Sequence, residues 1–440
     1  MRQGGPAVDE EFAHQRPVDI VEMVGIGHGR TLSQGRTPMI RPAQLRAAFA
    51  AALSAMYGTE VPAYTTLVQV STEVNRDCAG AADSNRLGSL QRVTAERHGA
   101  IRVGNAAEMA DVADLFAAFG MYPVGFYDLR DAASPVPVIS TAFRPIEAQE
   151  LELNPFRVFT SMLATADARF FDADLRARVD RFVAQRRLFD PALIADARRI
   201  ADAGGARADE ADDFVARATA AFALSRSPID KVWYDELSAV SAVAADIAGV
   251  DTTHINHLTP RVLDIDELYR RMTARGITMI DAIQGPPRTD GPAVLLRQTS
   301  FRALAEPRRF RGADGAEFDG ALRVRFGEVE ARGVALTPLG RQRYDAAMAD
   351  PARWSDYFPG TDAEMAAAGL AYYVGGDPAK PVVYEDFLPA SAAGIFRSNL
   401  DRDASVVETS DTSHYSLDWL AGAIGHHIHD PYDLYQKAAS

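Results

Sequence analysis

Cysteine occurs once in this 440-residue chain, at Cys78, so no disulfide can close within it. A multi-thiolate metal site or an iron–sulfur cluster is excluded by the same shortage of ligands, and a reducing, cytoplasmic setting is expected. Lysine is almost as scarce, with only Lys231, Lys380 and Lys437, which leaves few candidates for Schiff-base or lysine-base chemistry. An anionic substrate would have to be held by arginine. No apolar run approaches the roughly 20 residues needed to span a bilayer. The start of the chain lacks an apolar segment and carries Asp9, Glu10 and Glu11, so neither secretion nor membrane anchoring is expected. Positive charge is in the minority: 46 Lys and Arg face 60 Asp and Glu, and the net charge of −14 repels phosphate backbones, which argues against a nucleic-acid partner. Phosphate-cradling glycine motifs are absent too, and Gly285 followed by Pro286 and Pro287 reads as a turn.

What is present is an ordinary folded composition, with 47% hydrophobic and 24% charged residues. Residues 1–40 are rich in Gly, Arg and Pro without periodicity and read as an N-terminal extension. From residue 41 to 440 the pattern is that of a catalytic domain. It opens with Leu45, Phe49, Leu53 and Met56 at helical spacing before Gly58. A short strand at 98–104, a helix through Met109 to Phe119, and a second strand in MYPVGFYDL follow. Residues from about 165 to 249 are dense in Ala, Arg, Asp and Leu and predict a helical insertion broken at Gly204 and Gly205. Strand-like runs return at 254–263, 293–298, 322–330 and 381–388. Mixed regions on both sides of a helical block predict an α+β fold whose halves are duplicated.

The chemistry-bearing residues sit in those strands. His98 and Arg102 are four apart, so with a period of two they share one sheet face, their Cα atoms about 13 Å apart at ~3.3 Å per residue. HINHLTPR repeats the spacing with His257 and Arg261, whereas His254, three residues before His257, faces the other way in a regular strand. In VRFGEVE, Glu328 and Glu330 share a face with apolar neighbours and need a partner; a divalent cation is one. Two imidazoles and one carboxylate leave coordination positions open, as suits iron(II) that must bind a chelating 2-oxo acid together with dioxygen. The same pattern also fits satisfied sheet histidines and solvated glutamates.

The strings ERHGAIRVG, GMYPVGFYDL, NPFRVFTSML, HINHLTPRVLDID, FGEVEARGVALTP and YEDFLPASAAGIF resemble the 2-oxoadipate dioxygenase/decarboxylase family, also called 2-hydroxyglutarate synthases, from about residue 41 to near the C-terminus. The resemblance implies a mixed, antiparallel sheet of the vicinal-oxygen-chelate type built from duplicated βαβββ-like modules. It implies Fe(II) held by His98, His257 and a glutamate, Glu330 being favoured and Glu328 the alternative. It further implies Arg102 as the substrate-binding arginine, with Ala390 and Ser391 as further substrate contacts. The implied reaction, a step of lysine catabolism, takes 2-oxoadipate and dioxygen to 2-hydroxyglutarate and carbon dioxide. Competing readings are a zinc-dependent hydrolase or lyase on an oxoacid, and a non-catalytic oxoacid-binding protein. The C-terminal GHHIHD string, with His426, His427 and His429, is a second place where a metal could bind.

Overall fold

The structure, a computed structural model, describes residues 38–79, 86–131, 135–303, 305–323, 325–388 and 415–440. Ala390, Ser391 and nearly all of the N-terminal extension lie outside the described residues. Helix α1 (Pro42–Glu60) begins with proline at its first turn, where the missing N–H costs nothing, and buries Leu45, Phe49 and Leu53 as their spacing predicts. Arg46 is buried beside them. Its guanidinium donates to the carbonyls of Asn154 at 2.9 Å, Phe119 at 2.7 Å and Glu150 at 2.9 Å, which satisfies a charge in the core. Helix α2 (Pro62–Cys78) follows directly.

Strand β1 (Arg97–Val103) leads through helix α3 (Ala106–Ala117) to β2 (Tyr122–Asp128), β3 (Val138–Arg144) and β4 (Arg157–Leu163). Asn105 caps α3 by accepting from the Glu108 N–H at 2.9 Å, and Gly120, at φ 65°, takes the left-handed conformation after its end. The chain then runs through helices α4 (Ala173–Gln185), α5 (Pro191–Ala203), α6 (Ala208–Ala220), α7 (Lys231–Val240) and α8 (Ala242–Ala248) before β5 (His257–Pro260). Helix α9 (Ile265–Ala274), strand β6 (Leu296–Phe301), the hairpin of β7 (Glu306–Arg311) and β8 (Glu317–Leu322), and β9 (Gly327–Arg332) complete the second half.

The large sheet has five strands in the order β2-β3-β4-β1-β5, with β4 parallel to β1 and the other neighbours antiparallel. The first module is therefore β1-α3-β2-β3-β4. In the second module β5 and α9 lead to a segment that bridges β6 at Met279 and Gln284, and β6 pairs antiparallel with β9. A parallel bridge between Arg261 and Glu330 joins β9 to the end of β5, as β4 joins β1. The expected α+β fold with duplicated modules is thus present.

Strands β3 and β4 are buried along their whole length because both faces of the sheet are covered. Ile101 and Val103 point into a core shared with α1, α2, α3, α5 and α6. Ala100 points into the other, with α4, α7, α8, Phe159 and Phe387. The alternation puts His98 and Arg102 on the Ala100 face. The run at 381–388 is not a ladder strand. Val382 and Tyr384 each reach a different neighbour, as the Val382 N–H donates to Tyr372 and the Tyr384 N–H to Gly333, both at 2.9 Å. No helix among the described residues is long and apolar enough to cross a membrane.

Gly327 faces Phe301 across the β6–β9 pair, and a Cβ there would stand 1.8 Å from the Phe301 ring. The aromatic ring covers the strand where a side chain would be. Gly327→Ala is expected to destabilise the chain by about 1–3 kcal/mol in chemical denaturation, with partial recovery when combined with Phe301→Leu.

Candidate metal centre

β1 and β5 lie side by side in antiparallel register, with Ala100 opposite His257 and His98 opposite Thr259. The two histidines therefore reach the same face from adjacent strands, and β9 brings two glutamates against them. The Nε2 of His257 lies 2.9 Å from Glu328 Oε2, and the Nε2 of His98 lies 3.4 Å from the same oxygen. Ligand atoms of His98, His257 and Glu328 all fall within 4.8 Å of one another, and all three residues are buried. Donors about 2.1 Å from a shared ion and 90–110° apart are separated by roughly 3.0–3.4 Å, which is the spacing of these contacts. The donor set, two nitrogens and one carboxylate, fits a divalent transition metal.

Glu330, which the resemblance favoured as the ligand, stands elsewhere. It faces the opposite ring nitrogen, with Oε2 3.0 Å from His98 Nδ1 but out of line with the ring N–H. Its two oxygens accept from Arg332 Nε at 2.6 Å and Nη2 at 3.0 Å, a bidentate pair that commits the carboxylate. Parity could place both glutamates on the histidine face, as it did, but could not tell which one Arg332 would occupy. Among the described residues no arginine pairs with Glu328; Thr259 Oγ1 donates to it at 3.3 Å, and the two imidazoles face the same oxygen.

Aromatic rings close the walls, Phe387 standing edge-on to His98 and Phe326 tilted against His257, each with centroids 5.0 Å apart. Burial by itself would push the Glu328 carboxyl up. The imidazoles of His257 and His98 override it and hold the group at about 2. Glu330 is held at about 2 against the same burial by Arg332, His98 and Arg157. For His98, burial disfavours the charged ring, but Glu330 and Glu328 outweigh it and raise the pKa above its ordinary value. His257 goes the other way, because burial, helped by the charges on His98 and Arg102, outweighs Glu328.

Arg102 is buried and its Nη1 is paired with Asp246 of α8, a residue that sequence reasoning did not single out. Its signal was there: a lone acid inside the apolar string AVAADIA. His254 joins that pair and not the metal cluster, with Nε2 3.1 Å from Asp246 Oδ1, so the histidine turned away by parity has a partner of its own. Arg261, the arginine of the repeat, donates to Glu96 at 2.9 Å. The C-terminal histidines form no metal-ligand group among the described residues, although the rings of His427 and His429 pack edge-on with centroids 4.8 Å apart. His426 contacts Asp114 at 3.2 Å, and the backbone of His429 extends the edge of β2 by donating to Pro123 at 2.9 Å. Among the described residues, only His98, His257 and Glu328 group as metal ligands.

Metal binding needs neutral imidazoles and an ionised carboxylate, so uptake at pH 6.5 should release more than half a proton, from His98. Calorimetry of cobalt(II) binding in buffers of different ionisation enthalpy reads that number, and release should decline as the pH rises. His98→Ala, His257→Ala and Glu328→Ala should each abolish stoichiometric binding, whereas Glu330→Gln should weaken it by roughly 10- to 100-fold.

The family model described as 2-oxoadipate dioxygenase/decarboxylase matches residues 49–399. A protein of that name from Mycobacterium tuberculosis is 72% identical over 408 residues, covering 92% of this chain and 98% of its own. One from Escherichia coli is 38% identical, covering 90% of this chain and 96% of its own. Among solved structures, the hydroxyglutarate synthase from Pseudomonas putida in complex with 2-oxoadipate superposes with a TM-score of 0.76 at 35% identity, covering 91% of this chain and 96% of that one. A glyoxalase-superfamily protein from Ralstonia eutropha shares the fold at a TM-score of 0.51 and 19% identity, covering 72% of this chain and 96% of that one. With a family model spanning most of its length and close relatives along nearly all of it, the chain belongs to the 2-oxoadipate dioxygenase/decarboxylase family.

Proposed function

We propose that this chain is an iron(II)-dependent enzyme that converts 2-oxoadipate and dioxygen to 2-hydroxyglutarate and carbon dioxide, a step of lysine catabolism. In this reading His98, His257 and Glu328 hold the iron, Glu328 taking the place expected of Glu330. The observation that carries it is the placing of the donor triad and Arg102 on one sheet face, with Arg102 close enough for its charge to depress His257. The 2-oxoadipate complex of the Pseudomonas putida relative supports the choice of substrate.

Iron(II), held by His98, His257 and Glu328, would supply the Lewis-acid and redox chemistry that lets a 2-oxo acid react with dioxygen. The chain's own residues do the rest. Arg102 pairs with the distal carboxylate, a charge-assisted contact that fixes which way the substrate lies. Glu330, locked by Arg332, limits rotation of the His98 ring from behind. Phe387 and Phe326 line the walls and keep water from the reacting carbons. The balance needs no external reductant: the C1 carboxylate leaves as carbon dioxide, one oxygen atom of O2 enters the new carboxylate and the other the hydroxyl.

With iron(II) loaded, oxygen uptake, carbon dioxide release and 2-hydroxyglutarate formation should proceed in equal amounts from 2-oxoadipate. Carbon dioxide release without oxygen, or equal turnover by the zinc-loaded protein, would defeat the proposal. Arg102→Ala should lose roughly 100-fold or more in kcat/KM on 2-oxoadipate, well beyond its loss on the monoacid 2-oxohexanoate.

A further inference from the structure

We propose that Asp246 is the positioning residue for Arg102, and that the pair, set by the helical insertion, makes the site selective for diacids; this rests on the reading of Arg102 as the carboxylate anchor. Helix α8 buries Val243 through Ala248, and Asp246 is its only charged residue. A carboxylate at 2% exposure is costly unless its lone pairs are taken. Here Arg102 Nη1 takes one, Asn256 Nδ2 another at 2.8 Å, and His254 Nε2 stands 3.1 Å from the second oxygen. Burial would raise the Asp246 pKa, but His254 and Arg102 override it, so the group is an anion throughout the neutral range.

The helix that carries this anion is itself tied to β1. Ser241 caps its start by accepting from the Val243 N–H at 3.1 Å. At the other end Trp233 Nε1 donates to the Ala248 carbonyl at 2.8 Å, and Arg186 Nη1 donates to the carbonyls of Ile247 and, at 2.9 Å, Val250. Arg186 is gripped by Glu108 at 2.7 and 2.8 Å, and Glu108 also accepts from the N–H of Gly104, the residue after β1. The contacts form a closed ring from β1 through Arg102, Asp246, α8, Arg186 and Glu108 back to the end of β1. Thr253 adds a clip, its hydroxyl donating to the Arg102 carbonyl at 2.7 Å.

The consequence is a guanidinium anchored at Nη1 before substrate arrives. Arginine presents its N–H groups in a rigid fork, so fixing Nη1 fixes the directions of the remaining donors and removes the rotamer search that a long side chain otherwise makes on binding. Asp246 also balances the cation while the site is empty. Only a second carboxylate on the substrate exploits this arrangement, so its loss should show as lost discrimination between a diacid and a monoacid.

The test uses the full-length, iron-loaded protein with Asp246→Ala and Asp246→Asn, assayed on 2-oxoadipate and 2-oxohexanoate. Asp246→Ala should raise KM for 2-oxoadipate roughly 10- to 100-fold, with the loss of kcat/KM at least about tenfold greater on the diacid than on the monoacid. Asp246→Asn, which keeps an oxygen for Arg102, should show the smaller rise. A second arm needs no turnover: adipate binding to the metal-free protein, followed by calorimetry, should weaken in the same order. Equal losses on both substrates would mean a merely structural role and overturn the proposal, as would tighter diacid binding by Asp246→Asn, which would make Asp246 a competitor of the substrate. Should the wild type fail to turn over 2-oxoadipate, the functional reading falls, while the adipate arm still decides the role of Asp246.

Discussion

Glu96 is sealed from solvent between three guanidinium groups, and the metal centre depends on that contact. Its oxygens lie 2.8 Å from Arg157, 2.9 Å from Arg261 and 3.4 Å from Arg332. Arg157 belongs to the first module; Arg261 and Arg332 follow from the second, so one carboxylate ties both together at their seam. Desolvating these charges costs several kcal/mol per ion, and the cost is offset only when every member is paired. Glu330 and Glu385 share the arginines around it, which brings the cluster close to neutrality. His98 is two residues from Glu96 in sequence, and Glu330 two from Arg332. The positions of the candidate ligands are thereby inherited from a buried charge lattice on the strands that carry them.

Much of this was legible in the sequence because strand parity is a strong constraint. His98 and Arg102 had to share a face, and the repeated spacing at His257 and Arg261 pointed to two related modules. The ordered family strings supplied what parity could not, a metal and a substrate. Parity left Glu328 and Glu330 undecided for a physical reason: it is blind to which residue an arginine two positions along the same strand will seize. Asp246 was missed because it lies in a helical block with no strand neighbour, about 144 residues from the arginine it holds in sequence separation. Arg46 shows the same limit, since nothing in an amphipathic pattern announces a charged residue whose partners are backbone carbonyls of distant turns.

A cation held by His98, His257 and Glu328 would take the place of the positive charge that the two glutamates favour on the His98 ring. Two buried carboxylates at about 2 flank a ring whose pKa is raised, while His257 is driven toward its neutral form. The site thus pairs two ionised carboxylates with one imidazole that burial keeps neutral and one whose protonation they favour. Binding a divalent ion replaces that proton and adds charge where the two glutamates have concentrated negative potential. Arg332 and Thr259 hold the two carboxylates in place, Arg332 on Glu330 and Thr259 on Glu328.

The antiparallel register of β1 and β5 turns the repeated histidine–arginine spacing head to tail. Each half carries an arginine four residues beyond its histidine, so spacing alone would make the two halves interchangeable. The two arginines are committed to different acids, Arg261 to Glu96 at the seam between the modules and Arg102 to Asp246 of the helical insertion. The broken symmetry gives the two ends of the histidine face different anchors, one tied into the seam between the modules and the other to a helix inserted between them.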